Sequence, residues 1–147
     1  MTGSRIIIFL LIISFLLSLL TACSEPQTTV KVTGIIDGDT IVIEGGYHVR
    51  YIGIDAPEKG EAYYQEATQA NRELVLNKKV RLEKDLTNRD RYGRMLRYVY
   101  ADDVFVNAEI VKRGYAYSKA YPPDIKYQVY LEAVEKEARL TGRGLWE

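Results

Sequence analysis

Between Val30 and Ile54 the chain carries three short stretches dense in Val, Ile, Thr and Tyr, at residues 30–36, 40–44 and 47–54. The joints between them are only Asp37-Gly38-Asp39 and Gly45-Gly46. β-Branched and aromatic side chains suit a pleated, half-buried surface, and glycines at the joints supply the positive φ that tight hairpin turns require. A three-stranded antiparallel meander is the simplest outcome. After Pro57 the period changes: Ala62, Ala67, Ala70, Leu74 and Val75 fall on one side of a predicted helix running to about Asn77. Two further strands are expected at 79–83 and 94–100, and a short helix at 106–113 with Gly114 as its stop. Pro122-Pro123 and Asp124 open a last helix, on which Tyr127, Leu131, Val134 and Ala138 recur at helical spacing until Gly142. Five strands interrupted by a helix, with further helices appended, predict an α+β, barrel-rich class. The expected architecture is a five-stranded OB-type barrel, closed or partly open, with about three helices. No internal repeat or low-complexity segment is visible.

The N-terminus sets a second bound. Arg5 precedes a strongly apolar, uncharged stretch at 6–20, and Leu20-Thr21-Ala22 leads into Cys23. That is the pattern of a signal peptide, and it is short for a spanning helix, which needs roughly 20 apolar residues. Leu20-Thr21-Ala22-Cys23 resembles a bacterial lipobox. The resemblance implies cleavage before Cys23 and lipid on its sulfur and new amino terminus, hence a membrane-anchored, extracytoplasmic protein. The expected organisation is a signal peptide at 1–22, a lipid-attached cysteine and polar tether at 23–29, and one domain at 30–147. Cys23 is the only cysteine, so no intramolecular disulfide is possible. Removing residues 1–22 from the 147 leaves 125, enough for one domain with a real core.

Charge narrows the function classes. The whole chain has 20 basic and 20 acidic residues, and the leader removes Arg5 but no acid, so the remainder carries a formal charge of minus one. A protein that coats nucleic acid by bulk charge would look different. Any nucleic-acid contact must be local, with a metal ion and a few arginines as the neutralising groups.

Those groups are present in order along the chain: Asp37-Gly38-Asp39-Thr40, Arg50, Asp55-Ala56-Pro57-Glu58 and Asp90-Arg91-Tyr92-Gly93-Arg94. Each lies where a strand pattern breaks into a turn, so the carboxylates can gather at one end of a small barrel. Hard acidic oxygens with isolated arginines are what a calcium-assisted attack on a phosphodiester needs. Asp39 and Asp55 are the candidate metal ligands, because calcium takes carboxylate and carbonyl oxygens at about 2.3–2.6 Å and tolerates irregular geometry. With one histidine in the chain and its single cysteine in the lipobox, zinc is disfavoured. Asp37 is expected to shape the loop. Glu58 follows Pro57, whose ring fixes the turn. It either takes a proton from an attacking water, a role worth about 10² to 10⁴ in rate, or serves as a helix-start charge. Arg50 and Arg94 either offer paired donors to phosphate or shield sheet edges.

The remaining candidates have bland alternatives. The 12 tyrosines could form a stacking surface for bases or pack on strands and helices, as Tyr127 and Tyr130 do in the helical pattern. His48 reads as a half-exposed strand residue and Trp146 as a packing anchor. Lys112-Arg113 reads as a helix C-terminus.

The four charged blocks, followed by Tyr100-Ala101-Asp102 and Val106-Asn107, resemble the thermonuclease (staphylococcal nuclease) family in order and spacing, over about residues 30–146. The resemblance implies an OB-fold barrel with three helices and calcium-dependent cleavage of single-stranded DNA or RNA by a monomer. Water would attack in line and the 5′ oxygen would leave, giving 3′-phosphate ends. Asp39 and Asp55 would hold Ca2+ with the main-chain carbonyl of Ala56, and Glu58 would position or deprotonate the water. Arg50 and Arg94 would clamp the scissile phosphate. Tyr92, with Tyr117 or Tyr121, would lie along the nucleotide. Three departures stand out: Ala56 replaces the usual threonine, the segment 58–66 is shorter than the basic loop of the best-known member, and Ser118-Lys119-Ala120 sets the two tyrosines apart. Two rivals are an inactive OB-type module binding nucleic acid or an oligosaccharide, and a surface calcium-binding structural protein. All of Asp39, Arg50, Asp55, Glu58 and Arg94 are present, which favours catalysis over either.

Overall fold

The computed structural model describes residues 28–147. The leader, lipidation and most of the tether fall outside the described residues. Among those described, no helix is long and apolar enough to cross a membrane.

The meander forms as expected. β1 (Thr29–Ile35), β2 (Thr40–Ile43) and β3 (Tyr47–Tyr51) pair antiparallel in sequence order. Gly45 and Gly46 take φ of +86° and +78° at the second joint, the left-handed conformation that glycine adopts without strain. β3 ends earlier than the β-rich stretch suggests. Gly53 breaks it, and Ile54–Asp55 forms a separate two-residue strand, β4. The first helix, α1 (Tyr64–Val75), starts later than its pattern and buries Ala67, Ala70, Leu74 and Val75. β5 (Lys79–Glu83) and β6 (Met95–Ala101) follow, then a short β7 (Val104–Phe105). α2 (Val106–Lys112) ends before Gly114, and a two-residue β8 (Tyr117–Ser118) precedes α3 (Gln128–Leu140). A last 3-10 turn covers Gly144–Trp146.

The sheet runs β3-β2-β1-β5-β6-β7, and β3 also pairs with β6 in parallel, which closes five strands into a barrel. The closing register is Val49 to Met95, Arg50 to Leu96 and Tyr51 to Arg97. Closure removes the strand edges that an open sheet would expose. A separate antiparallel pair, β4 with β8, sets Asp55 opposite Tyr117. Inside the barrel, Val32, Ile41, Val49, Val80 and Val99 have no exposed surface, and α2 and α3 add Val106, Ile110 and Leu131. This α+β barrel with three helices matches the architecture expected from the sequence.

One buried polar residue joins the closing seam to α2. The Asn107 carboxamide oxygen accepts the Val99 N–H at 2.9 Å, and its amide donates to the Ile52 carbonyl at 2.8 Å. Asn107 is wholly buried, so neither main-chain group has water to fall back on. Asn107→Ala should therefore destabilise the protein by about 2–4 kcal/mol in urea unfolding. A loss under about 0.5 kcal/mol would show that the seam holds without it.

Candidate active site

Closing the barrel brings the charged blocks together. Asp37, Asp39, Arg50, Asp55, Glu58, Asp90, Tyr92, Arg94 and Tyr121 line a single cleft of about 610 Å³, with Arg91 and Asp124 at its sides.

The Asp37–Asp39 turn is built from within. The Asp37 carboxylate accepts the Asp39 N–H at 3.0 Å, which makes Asp37 the shaper of its own loop. Gly38 is required there for space, not for φ. A Cβ on it would lie 2.7 Å from both Ala56 Cβ and Ala67 Cβ, so the turn packs directly on α1 and on the segment after β4. Asn71, buried on α1, ties the same loop to the barrel. It accepts the Tyr51 hydroxyl at 2.7 Å and donates to the Asp37 carbonyl at 2.9 Å. Nothing in the helical pattern marked Asn71, because its period is that of an ordinary core-facing position.

Asp39 is 5% exposed. Its Oδ2 accepts the Ala56 N–H at 2.7 Å, and its Oδ1 takes the Thr40 hydroxyl and the Arg50 Nε, each at 3.1 Å. The same guanidinium donates through Nη2 to Asp55 Oδ1 at 3.0 Å and through Nη1 to the carbonyls of Tyr51 and Ile54 at 2.8 and 2.9 Å. Arg50 thus sits between the two candidate metal ligands. The outer oxygen of Asp55 is held by Lys119 Nζ at 2.6 Å. Burial pushes the Asp39 carboxyl up to about 7; Arg50 opposes this and neighbouring Asp37 adds to it. Burial outweighs Arg50 and the Ala56 and Thr40 donors together.

Arg94 is held by Asp90. The Asp90 Oδ2 accepts Arg94 Nε at 2.7 Å, while its Oδ1 takes the N–H groups of Tyr92 and Arg94, each at 2.9 Å. Partial burial works against ionisation of Asp90, but these donors win and hold its carboxyl below the usual range. Tyr92 is 68% exposed, with the Arg91 and Arg94 guanidiniums 4.8 and 5.4 Å from its ring centre. Glu58 lines the cleft from an exposed turn, in which its main-chain N–H donates to Glu61 at 2.7 Å.

The two candidate tyrosines part company. Tyr121 lines the cleft, whereas Tyr117 is absent from its lining and lies edge-on to Trp146 with ring centres 5.3 Å apart. Ala56 is buried and offers its N–H to Asp39. Two residues that the sequence did not assign to the site also belong here, and Asp124 does not open the last helix, which starts at Gln128. Lys119 meets Asp55 across the β4–β8 pair, and Asp124, nearly buried, accepts the Leu86 and Thr87 N–H groups at 2.9 and 2.7 Å. Asp124 thereby ties the loop before Asp90 to the loop carrying Tyr121.

Among the described residues no three His, Cys, Asp or Glu side chains form a ready-made metal cage. The donor chemistry nevertheless fits a hard cation that keeps water or backbone ligands. Six carboxylates line the cleft (Asp37, Asp39, Asp55, Glu58, Asp90 and Asp124) against three guanidiniums (Arg50, Arg91 and Arg94), a formal charge of minus three. Two side-chain cations, Arg50 and Lys119, already stand against Asp39 and Asp55. Added positive charge would ease the approach of a polyanion to such a cleft.

Comparison with known proteins agrees with the geometry. The family described as staphylococcal nuclease homologue matches residues 48–147. The chain is 36% identical over 129 residues to a thermonuclease of Staphylococcus hyicus, covering 82% of this chain and 76% of that one. It is 38% identical over 122 residues to a thermonuclease of Staphylococcus intermedius, with 77% and 73% covered. A micrococcal nuclease of Shigella flexneri is 37% identical over 132 residues, with 79% and 72% covered.

The raised Asp39 carboxyl has a consequence for metal-free stability. Between its ordinary value of 3.8 and about 7, native Asp39 holds a proton that the unfolded chain has released. Its contribution is therefore full below pH 4 and is lost as pH rises through 7. In chelator, wild type should lose stability relative to Asp39→Asn as pH rises from 4 to 8, read from paired urea titrations. Parallel pH profiles would show that Asp39 ionises normally.

Proposed function

The chain belongs to the staphylococcal nuclease homologues, and from that premise we propose that it is a calcium-dependent nuclease hydrolysing phosphodiester bonds of DNA or RNA. The observation that carries this reading is the acidic cleft, in which Asp39, Arg50, Asp55, Glu58 and Arg94 line one cavity beside an exposed tyrosine. Asp39 and Asp55 would hold Ca2+ together with the main-chain carbonyl of Ala56. Bound there, the ion supplies positive charge to the substrate phosphate and to the charge that grows in the transition state.

The chain's own residues then divide the work. Arg94, oriented by Asp90, presents its remaining donors to a phosphate oxygen, and Arg50 supplies a second guanidinium from the barrel wall. Glu58, on its exposed turn, takes a proton of a water whose oxygen bonds to phosphorus in line with the 5′ oxygen; the bond from phosphorus to that oxygen breaks, and it leaves as a hydroxyl protonated from solvent, giving a 3′-phosphate end. Tyr92 and Tyr121 flank the cleft where a base or ribose would lie, a placement suited to unpaired strands. We further read the protein as a monomer held at the outer face of a membrane by lipid on Cys23.

Incubating the protein with single-stranded DNA and with RNA, in calcium and in chelator, tests the central reading. Cleavage should require calcium and fall by roughly 10² or more in Glu58→Gln of matched folding. Folded wild type that binds metal and oligonucleotide without cutting either would sink the nuclease reading and leave a binding module.

A further inference from the structure

Asp55 is the one candidate metal ligand with both carboxylate oxygens held by side-chain cations. Arg50 Nη2 is 3.0 Å from Oδ1, and Lys119 Nζ is 2.6 Å from Oδ2. The two cations differ in how they are held. Arg50 is 11% exposed and anchored by the Tyr51 and Ile54 carbonyls, so it has little freedom to leave. Lys119 is half exposed, and among the described residues the acid it pairs with is Asp55. Its position, by contrast, is fixed by the backbone. The Lys119 N–H donates to the Gly53 carbonyl at 2.9 Å, directly beyond the β4–β8 pair that sets Ile54 opposite Ser118 and Asp55 opposite Tyr117. The stem therefore starts in one place, while the half-exposed ammonium has solvent beside it.

A half-exposed ammonium on an oxygen of a candidate metal ligand competes with any divalent ion that needs that oxygen. We propose that Lys119 is a tethered counter-ion of Asp55 that a divalent cation must displace, so that this lysine sets how much calcium the site needs. The inference rests on the calcium reading given above and adds to it a residue with no role in that chemistry. The ammonium already lies 5.4 Å from the Tyr121 ring centre while paired with Asp55, so a cation–π contact in the same loop helps hold it beside the cleft whether or not Asp55 is taken. Coulomb attraction favours the exchange, because a divalent ion brings twice the charge to Asp55 and Asp39 together, whereas the ammonium reaches Asp55 alone. The cost of displacement is modest because exposed ion pairs are weak.

Calcium titration of the intact chain by calorimetry, at fixed pH and without nucleic acid, tests this. Lys119→Met keeps the stem and removes the charge, and it should bind calcium roughly fivefold more tightly than wild type. Lys119→Arg, which keeps the charge, should stay close to wild type. Lys136→Met on the exposed face of α3, away from the cleft lining, removes the same charge and should change affinity less than twofold. Equal affinities for wild type and a folded Lys119→Met would overturn the role of Lys119 and leave the calcium reading intact. So would an equal gain in Lys136→Met, which would make the effect one of net charge. No calcium binding by wild type or by any variant would overturn the metal reading itself, and this proposal with it.

Discussion

The Arg50 guanidinium is the contact on which the site depends. It reaches Asp39 and Asp55 through different nitrogens and caps the carbonyls of Tyr51 and Ile54, so one side chain serves the end of β3, β4 and both acids. Removing an ion pair from water is costly, and the cost is recovered only when the remaining donors and acceptors are also satisfied. Here they largely are. Without the guanidinium, Asp39 would be a buried carboxylate facing Asp37 and Asp55 with only neutral donors. In the proposed reaction the same arginine also serves the phosphate, so charge compensation in the resting protein and substrate binding draw on one group.

This arrangement explains why a chain with balanced overall charge can carry a strongly acidic cleft. The negative charge is concentrated by topology, because the turns after β1 and β4 and the loop before β6 open at the same end of the barrel. Four of the six acids also have neutral donors of their own: Asp37 in its own turn, Asp39 from Ala56 and Thr40, Asp90 from the backbone of its loop, and Asp124 from two main-chain N–H groups. Fixing carboxylates in advance lowers the reorganisation required when positive charge arrives.

Much of this was legible before any coordinates. The strand and helix segments follow period and composition, and the charged blocks that the sequence joined into one site do line one cleft. What escaped was long-range or shape-dependent. No local pattern announces that β3 will pair in parallel with β6, since their partners lie more than forty positions apart. The two-residue strands β4 and β8 are too short to leave a period, and without them neither the orientation of Tyr117 toward Trp146 nor the meeting of Lys119 with Asp55 could be read. Gly38 looked like a turn glycine, yet its role is to let two alanines approach. Asn71 was hidden for the same reason, and Asn107, though part of the motif set, had no visible role: a buried asparagine on a core-facing helix position shows its purpose only when its partners are in place.

The parallel seam between β3 and β6 also bears on when the protein becomes competent. A chain made from its N-terminus has the meander, with Asp39, Arg50, Asp55 and Glu58, long before Met95–Ala101 exists to close against it. Until then Val49 and Tyr51 lack the β6 side of their pairing, the Ile52 carbonyl lacks the Asn107 amide, and the cleft lacks the wall that carries Arg94. Contacts of such separation form late and together. The acids are thus synthesised early but assembled last, and a chain stopped short of β6 would carry most of the site's acids without the cleft that gives them a shared target.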